Sequence, residues 1–230
     1  MKKLGKILLI VILLFGLTAC HKDKSDASKF KKEYESLNGT KSQSGKTIRT
    51  VSIDKENPMI YKTADEIVEM IEGNESFVVY FGFASCPWCR SMIETLLKSA
   101  KDNNIKTIYY VDVLNIRDKY EVKDGKLEKT EEGTDSYNEL IDLFAEVLDD
   151  YKVKTEDGEE LDTKEKRIYA PNVVAVVNGK AIKMIEGTSS KLEDPYSELT
   201  EDMKTESYNS FKCLWECLEQ ESTICTKNAC

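Results

Sequence analysis

The chain has one histidine, His21, and none after it. That absence removes Ser–His–Asp and Cys–His catalysis, and the common histidine metal sites, from any folded body downstream. Positive charge is also short. The formal net charge is −9, and residues 1–19 carry lysines but no acids, so the remainder is more acidic still. An acidic body argues against nucleic acid as a partner and gives no electrostatic help in docking to anionic lipid. Long apolar runs are lacking too. The main one, ILLIVILLFGL at residues 7–17, is too short for a comfortable membrane span. No internal repeat is present.

What is there begins with that apolar run. Lys2, Lys3 and Lys6 precede it and LTAC, residues 17–20, ends it, which reads as a cleaved signal segment over residues 1–19. LTAC resembles the bacterial lipobox, in which the cysteine is lipidated and becomes the first mature residue. The resemblance implies lipidation at Cys20 and a membrane anchor on the extracytoplasmic side, at the cell surface or periplasmic face. The alternative is an ordinary signal peptide with a chance cysteine. Disulfides persist in such a compartment. With Cys20 spent on lipid, the seven cysteines become six.

Residues 20–46 are rich in Lys, Ser, Asp and Gly without apolar periodicity and read as a flexible tether carrying the solvated His21. The pattern then alternates over 47–194. Residues 47–53 have strand character. A helix starts at residue 63 with Thr63 and Glu66 as a capping box, repeats apolar residues at Ile67, Met70 and Ile71, and stops at Gly73. SFVVYFGF, 76–83, reads as a buried parallel strand, residues 90–104 as a helix, and 105–113 as a strand. Strand–helix–strand of these lengths is a parallel βαβ unit. A polar excursion at 117–136 suggests a hairpin at Asp124-Gly125, and residues 137–151 read as an amphipathic helix. A second polar excursion, 152–167, precedes two antiparallel strands within 168–187 joined at Asn178-Gly179. Residues 195–230 form a helical, cysteine-rich segment expected to pack on this body.

Between strand and helix lies CPWC, residues 86–89. Pro87 suits the first helical position, so Cys86 falls at a helix N-terminus, where free N–H groups and the macrodipole favour a thiolate. Cys86 should be exposed and Cys89 more buried, the division between attacking and resolving thiols that exchange chemistry needs. A structural disulfide and a zinc half-site are the alternatives. The half-site needs two further ligands, from Cys213, Cys217 or acids. Trp88 offers apolar contact to substrate or simply covers the sulfurs. Arg90 favours thiolate if it folds back, with surface solvation as the default.

The strand before CPWC, the motif and its helix resemble the thioredoxin superfamily. So does YAPNVVAVVNGKAI, residues 169–182: in that family a cis-proline precedes an antiparallel hairpin and packs beside the cysteine pair. The resemblance spans roughly residues 59–190. It implies an α/β fold with a mixed central sheet, flanking helices and polar insertions, with Pro171 as the cis residue. It also implies that Ala170 and Pro171 meet the substrate backbone by strand addition. No cofactor is implied. The partners implied are protein or peptide thiols and disulfides and a redox partner. Three departures stand out. Tyr80 occupies the place of the family's buried aspartate, which leaves proton handling to another group such as Glu94 or water. Glu94 falls about where a mid-helix proline would be, and the motif is CPWC, not CGPC.

Cys213, Cys217, Cys225 and Cys230 are expected as a structural clip. Cys213 and Cys217 lie one turn apart on a helix and do not meet well, so a chain folding back would pair Cys217 with Cys225 and Cys213 with Cys230. A second redox pair relaying electrons to CPWC is the alternative. The function expected is a membrane-anchored, extracytoplasmic thiol–disulfide oxidoreductase. The competing expectation is a non-catalytic thioredoxin-like accessory lipoprotein, of the kind that serves bacteriocin export, with structural disulfides only.

Overall fold

The computed structural model describes residues 24–155 and 157–219. The described chain runs α1 (Lys24–Glu35), β1 (Met59–Tyr61), α2 (Ala64–Glu72), β2 (Phe77–Gly82), α3 (Pro87–Asp102), β3 (Ile108–Asp112), β4 (Lys119–Lys123) and β5 (Lys126–Glu131). It continues through α4 (Asp135–Leu143), β6 (Asp149–Lys154), β7 (Glu160–Arg167), β8 (Asn172–Val177), β9 (Lys180–Ile185) and α5 (Glu201–Glu219). This is a mixed α/β protein. A five-stranded sheet in the order β1-β3-β2-β8-β9 forms its centre, and β4–β5 and β6–β7 are separate hairpins. β3 runs parallel to both β1 and β2, whereas β8 is antiparallel to β2 and β9 to β8.

Alternation along the central strands builds two cores. On β2, Val78 and Tyr80 face one side and Phe77, Val79 and Phe81 the other; on β8, Val173 and Ala175 oppose Val174 and Val176. The first face is covered by α1, α3 and α5 through Phe30, Tyr34, Met92, Ile93, Leu96, Phe211, Leu214 and Trp215. The second is covered by α2 and α4 through Ile67, Met70, Ile71, Tyr137 and Leu140. Both strands are buried along their whole length, which is why they read as unbroken apolar runs. Trp215 donates its indole N–H to Ser99 Oγ on α3 at 2.9 Å, tying α5 to α3 through a satisfied polar group.

Several local expectations hold for physical reasons. Thr63 accepts from the Glu66 N–H while Glu66 accepts from the Thr63 N–H, completing the capping box, and Gly73 closes α2. The Asp124-Gly125 and Asn178-Gly179 turns both have positive φ at both residues, as a two-residue hairpin turn requires. At Gly179 a side chain would also run into the Ile71 carbonyl.

Other expectations are corrected. The tether assigned to residues 20–46 gives way from residue 24 to helix α1, whose Phe30 and Tyr34 are fully buried. Two aromatics four residues apart define an apolar stripe narrow enough to be hidden among the lysines and glutamates of KFKKEYE. Residues 47–53 form no strand apart from a bridge between Lys41 and Thr47. They cross the first core as extended chain that buries Val51 and Ile53. The helix expected at 137–151 ends at Leu143, and Asp149–Lys154 pairs with β7 instead. Both polar excursions are hairpins, joined at their base by a buried Arg167–Asp118 ion pair at 2.7 Å. Burial holds the Asp118 carboxyl above its usual range, and Arg167 offsets that only in part.

Arg90, expected on the surface, is 1% exposed. Its guanidinium donates to the carbonyls of Arg49, Tyr34 and Ala84 at 2.6–2.9 Å and to Asn38 Oδ1 at 2.6 Å. One side chain thereby fastens the end of α1, the 47–53 crossing and the loop before α3. Phe30→Ala is expected to cost about 3–5 kcal/mol in denaturant unfolding. A loss below about 0.5 kcal/mol, the size expected for a solvated surface position, would contradict the packing of α1.

Candidate functional site

The C-terminal end of β2 delivers the chain into α3 at Cys86, the N-cap residue, with Pro87 at the first helical position. The Cys89 backbone N–H donates to Cys86 Sγ at 3.4 Å, and the Cys86 thiol donates to the Ala170 carbonyl at 3.2 Å. The Ala170–Pro171 bond is cis. Cys86, Cys89, Trp88, Ala170 and Pro171, picked out separately in the sequence, are therefore gathered at one end of the sheet. Both cysteines are free thiols. Antiparallel pairing of β2 with β8, with Phe81 opposite Asn172, carries the residues after β2 alongside those before β8.

The exposure expected for Cys86 is corrected: both thiols are buried. Cys89 is fully buried and Cys86 is 4% exposed, so Cys86 is more nearly covered than a helix-start position suggested. The Ala170 carbonyl, beside Pro171, lies against the sulfur. The electrostatic division is clear. The hydrogen bond from the Cys89 thiol lowers the Cys86 pKa from its ordinary 9.0, aided by the Cys89 and Trp88 backbone N–H groups and then Arg117, against an opposing effect of burial. Burial drives Cys89 well upward, and its bond to Cys86 adds to this. The pair is thus one thiol made more acidic than usual and one made less so.

Tyr80, in the place noted for an aspartate, is fully buried with its hydroxyl 2.8 Å from that of Tyr34. It also hydrogen-bonds Cys89, an interaction that favours the Cys89 thiolate against the larger effect of burial. Glu94 is not at the site: it is exposed and accepts from the Ser52 N–H. Tyr34 and Arg117 were invisible in the sequence. Tyr34 lay in the presumed tether. Arg117 looked like one more charge in a polar excursion, yet it packs 5.2 Å over the Phe83 ring and its Nε is buried without a partner.

A cleft of about 620 Å³ opens beside the dithiol, lined by Trp88, Tyr169, Ala170 and Pro171 and by charged residues of the β6–β7 hairpin. Cys213 and Cys217 on α5 are buried and disulfide-bonded, and Lys183 of β9 donates to Cys213 Sγ at 3.2 Å. Cys20, Cys225 and Cys230 lie outside the described residues, and with them the signal segment, the lipidation site and the expected pairing of the clip. Among the described residues, no helix is long and apolar enough to cross a membrane, and no three His, Cys, Asp or Glu side chains gather as a metal would need. No protein-family model matches the chain, and comparison with curated proteins finds no match.

The arrangement yields a pH signature. Cys86 should react with iodoacetamide with an apparent midpoint below 9.0, the rate rising with pH as the thiolate forms, while Cys89 stays unmodified in the folded protein. Mass spectrometry after timed alkylation checks this. Equal labelling of both cysteines would contradict the asymmetry.

Proposed function

We propose that the protein is an extracytoplasmic, lipid-anchored thiol–disulfide oxidoreductase of the thioredoxin-like kind, with Cys86 and Cys89 as its redox pair. One observation carries the reading: the Cys86 sulfur sits at once at the start of α3 and against the Ala170 carbonyl beside Pro171. The order of the elements supports it as well. A helix, a strand, the CPWC helix, a parallel strand, a further helix, a cis-proline and an antiparallel hairpin follow one another as the family resemblance implies. The anchor rests on the sequence of residues 1–20.

In the reducing direction, the Cys86 thiolate attacks one sulfur of a substrate disulfide. A Cys86–substrate disulfide forms, the substrate S–S bond breaks, and the departing thiolate takes up a proton. Cys89, once deprotonated, attacks the Cys86 sulfur. The Cys86–Cys89 disulfide forms, the second substrate thiolate leaves, and two electrons have passed from the pair to the substrate. A dithiol partner resets the pair by the reverse exchange. The same steps run backwards make it an oxidant. The acidic Cys86 is suited to both attack and departure. The raised pKa of Cys89 means its proton must leave inside the mixed disulfide, to the departing substrate thiolate or to water; the Tyr80 hydroxyl, itself held protonated by burial, donates to the Cys89 thiolate that results. Ala170 and Pro171 line the cleft where substrate backbone would lie.

The near-complete burial of Cys86 favours a second reading, a thioredoxin-like accessory protein whose dithiol is structural. The two separate in a direct test. Cys86→Ser should abolish insulin reduction and the oxidation of reduced ribonuclease, while Cys89→Ser should accumulate a mixed disulfide visible on a non-reducing gel. Undiminished activity in Cys86→Ser would refute the catalytic reading.

A further inference from the structure

The cleft beside the dithiol has a definite charge pattern. Trp88, Tyr169 and Pro171 supply apolar surface, and Asp149, Asp150, Lys152, Lys154, Glu160 and Glu186 supply charge. Most of these charges are satisfied among themselves. Lys152 and Lys154 both reach Glu160, at 3.4 and 3.7 Å, and Asp150 pairs with Lys166 at 2.8 Å. Asp149 and Glu186 are left over: among the described residues neither has a basic partner within ion-pair distance, although the two carboxylates face the same cleft. The surrounding protein first, and then Asp149, hold the Glu186 carboxyl above its usual range. A cation between them would relieve that repulsion, whereas an anion would add to it.

The β6–β7 hairpin carries all of these charges except Glu186, which follows β9, and it is braced by aromatic contacts. Tyr120 meets Tyr151 edge-on at 5.4 Å and Tyr151 meets Tyr169 at 6.2 Å. The Arg167 guanidinium lies 3.9 Å over the Tyr151 ring, and the Tyr169 hydroxyl donates to the Asp150 carbonyl at 3.1 Å. The rim is thereby fixed relative to Ala170, whose carbonyl takes the Cys86 thiol. A site organised in advance loses little entropy on binding.

We propose that this cleft seats a lysine or arginine side chain of an extended peptide, adjacent to the cysteine that the peptide presents to Cys86. Asp149 and Glu186 pair with the cationic head, and Trp88 and Tyr169 cover its aliphatic stem or stack on its guanidinium. Basic, cysteine-containing peptides are then the preferred substrates. This deepens the oxidoreductase reading and rests on it for the word substrate, but the binding itself needs no redox chemistry.

The test uses the full chain and fluorescently labelled peptides in which serine replaces cysteine, flanked by lysine, by neutral residues or by glutamate. Fluorescence polarisation at low salt should show the basic peptide binding about tenfold more tightly than the neutral one and the acidic one most weakly, with the differences shrinking as salt is added. Asp149→Asn with Glu186→Gln should erase the preference. Glu69→Gln with Glu72→Gln on α2, which changes net charge equally, should leave it intact. Equal binding of basic and acidic peptides, binding of none, survival of the preference in the cleft variant, or equal loss in the α2 variant would each overturn the proposal. Because the peptides lack a thiol, these outcomes are independent of whether Cys86 exchanges disulfides.

Discussion

The hydrogen bond from the Cys86 thiol to the Ala170 carbonyl spans 84 positions of sequence, and the architecture around it brings its two ends together. It requires that the chain leaving β2 lie beside the chain entering β8. Antiparallel pairing of those two strands is the arrangement that achieves this, because the end of one is then level with the start of the other. β2 is flanked on its far side by β3 and is a central strand buried on both faces. The helix that begins at Cys86 then has to cross the first face of the sheet, where α1 and α5 close around it. The hairpin β6–β7 leads directly into residues 168–171 and so becomes a wall of the space next to the sulfur.

That placement makes two chemically equivalent side chains unequal. Cys86 receives the free N–H groups of a helix start, and Cys89 is inside the helix, surrounded by the first core. The donors that steady a charge on one sulfur also leave the other as their source of a proton, so the two thiols titrate as a pair. The Tyr80–Tyr34 hydroxyls are a neutral polar couple deep in that core. They permit hydrogen bonding to Cys89 without the cost of a buried carboxylate. Arg90 and Arg117 are the cations nearest the dithiol. The first is saturated by carbonyls and serves the fold, whereas the second adds positive potential near Cys86.

Most of the site was legible because its parts are governed by local rules. A cysteine before Pro87 at a strand-to-helix junction, a capping box at Thr63 and a hairpin turn at Asn178-Gly179 each follow from the residues within a few positions. The proline at 171 needed the family resemblance, since nothing local sets its isomer. What stayed hidden depends on distant neighbours. Phe30 and Tyr34 look like stray aromatics in a charged stretch until the uncovered face beside Tyr80 and Tyr110 is known. Val147 and Leu148 fit a helical stripe, yet Asp149–Lys154 is claimed by β7, whose pairing is a tertiary fact. Arg90 reads as a surface residue because its carbonyl partners come from residues 34, 49 and 84. The near-burial of Cys86 is of the same origin, since its cover arrives with the chain entering the neighbouring strand β8.

The central claim is that the Cys86–Cys89 pair exchanges electrons reversibly with other thiols. The most direct measurement is its reduction potential, by equilibrating the protein across a glutathione series and quantifying the oxidised fraction of that pair by alkylation and mass spectrometry. The account predicts a single reversible two-electron transition in the range of exchange catalysts, about −120 to −270 mV. A pair that does not equilibrate, or whose disulfide resists reduction below about −300 mV as structural disulfides do, would contradict it.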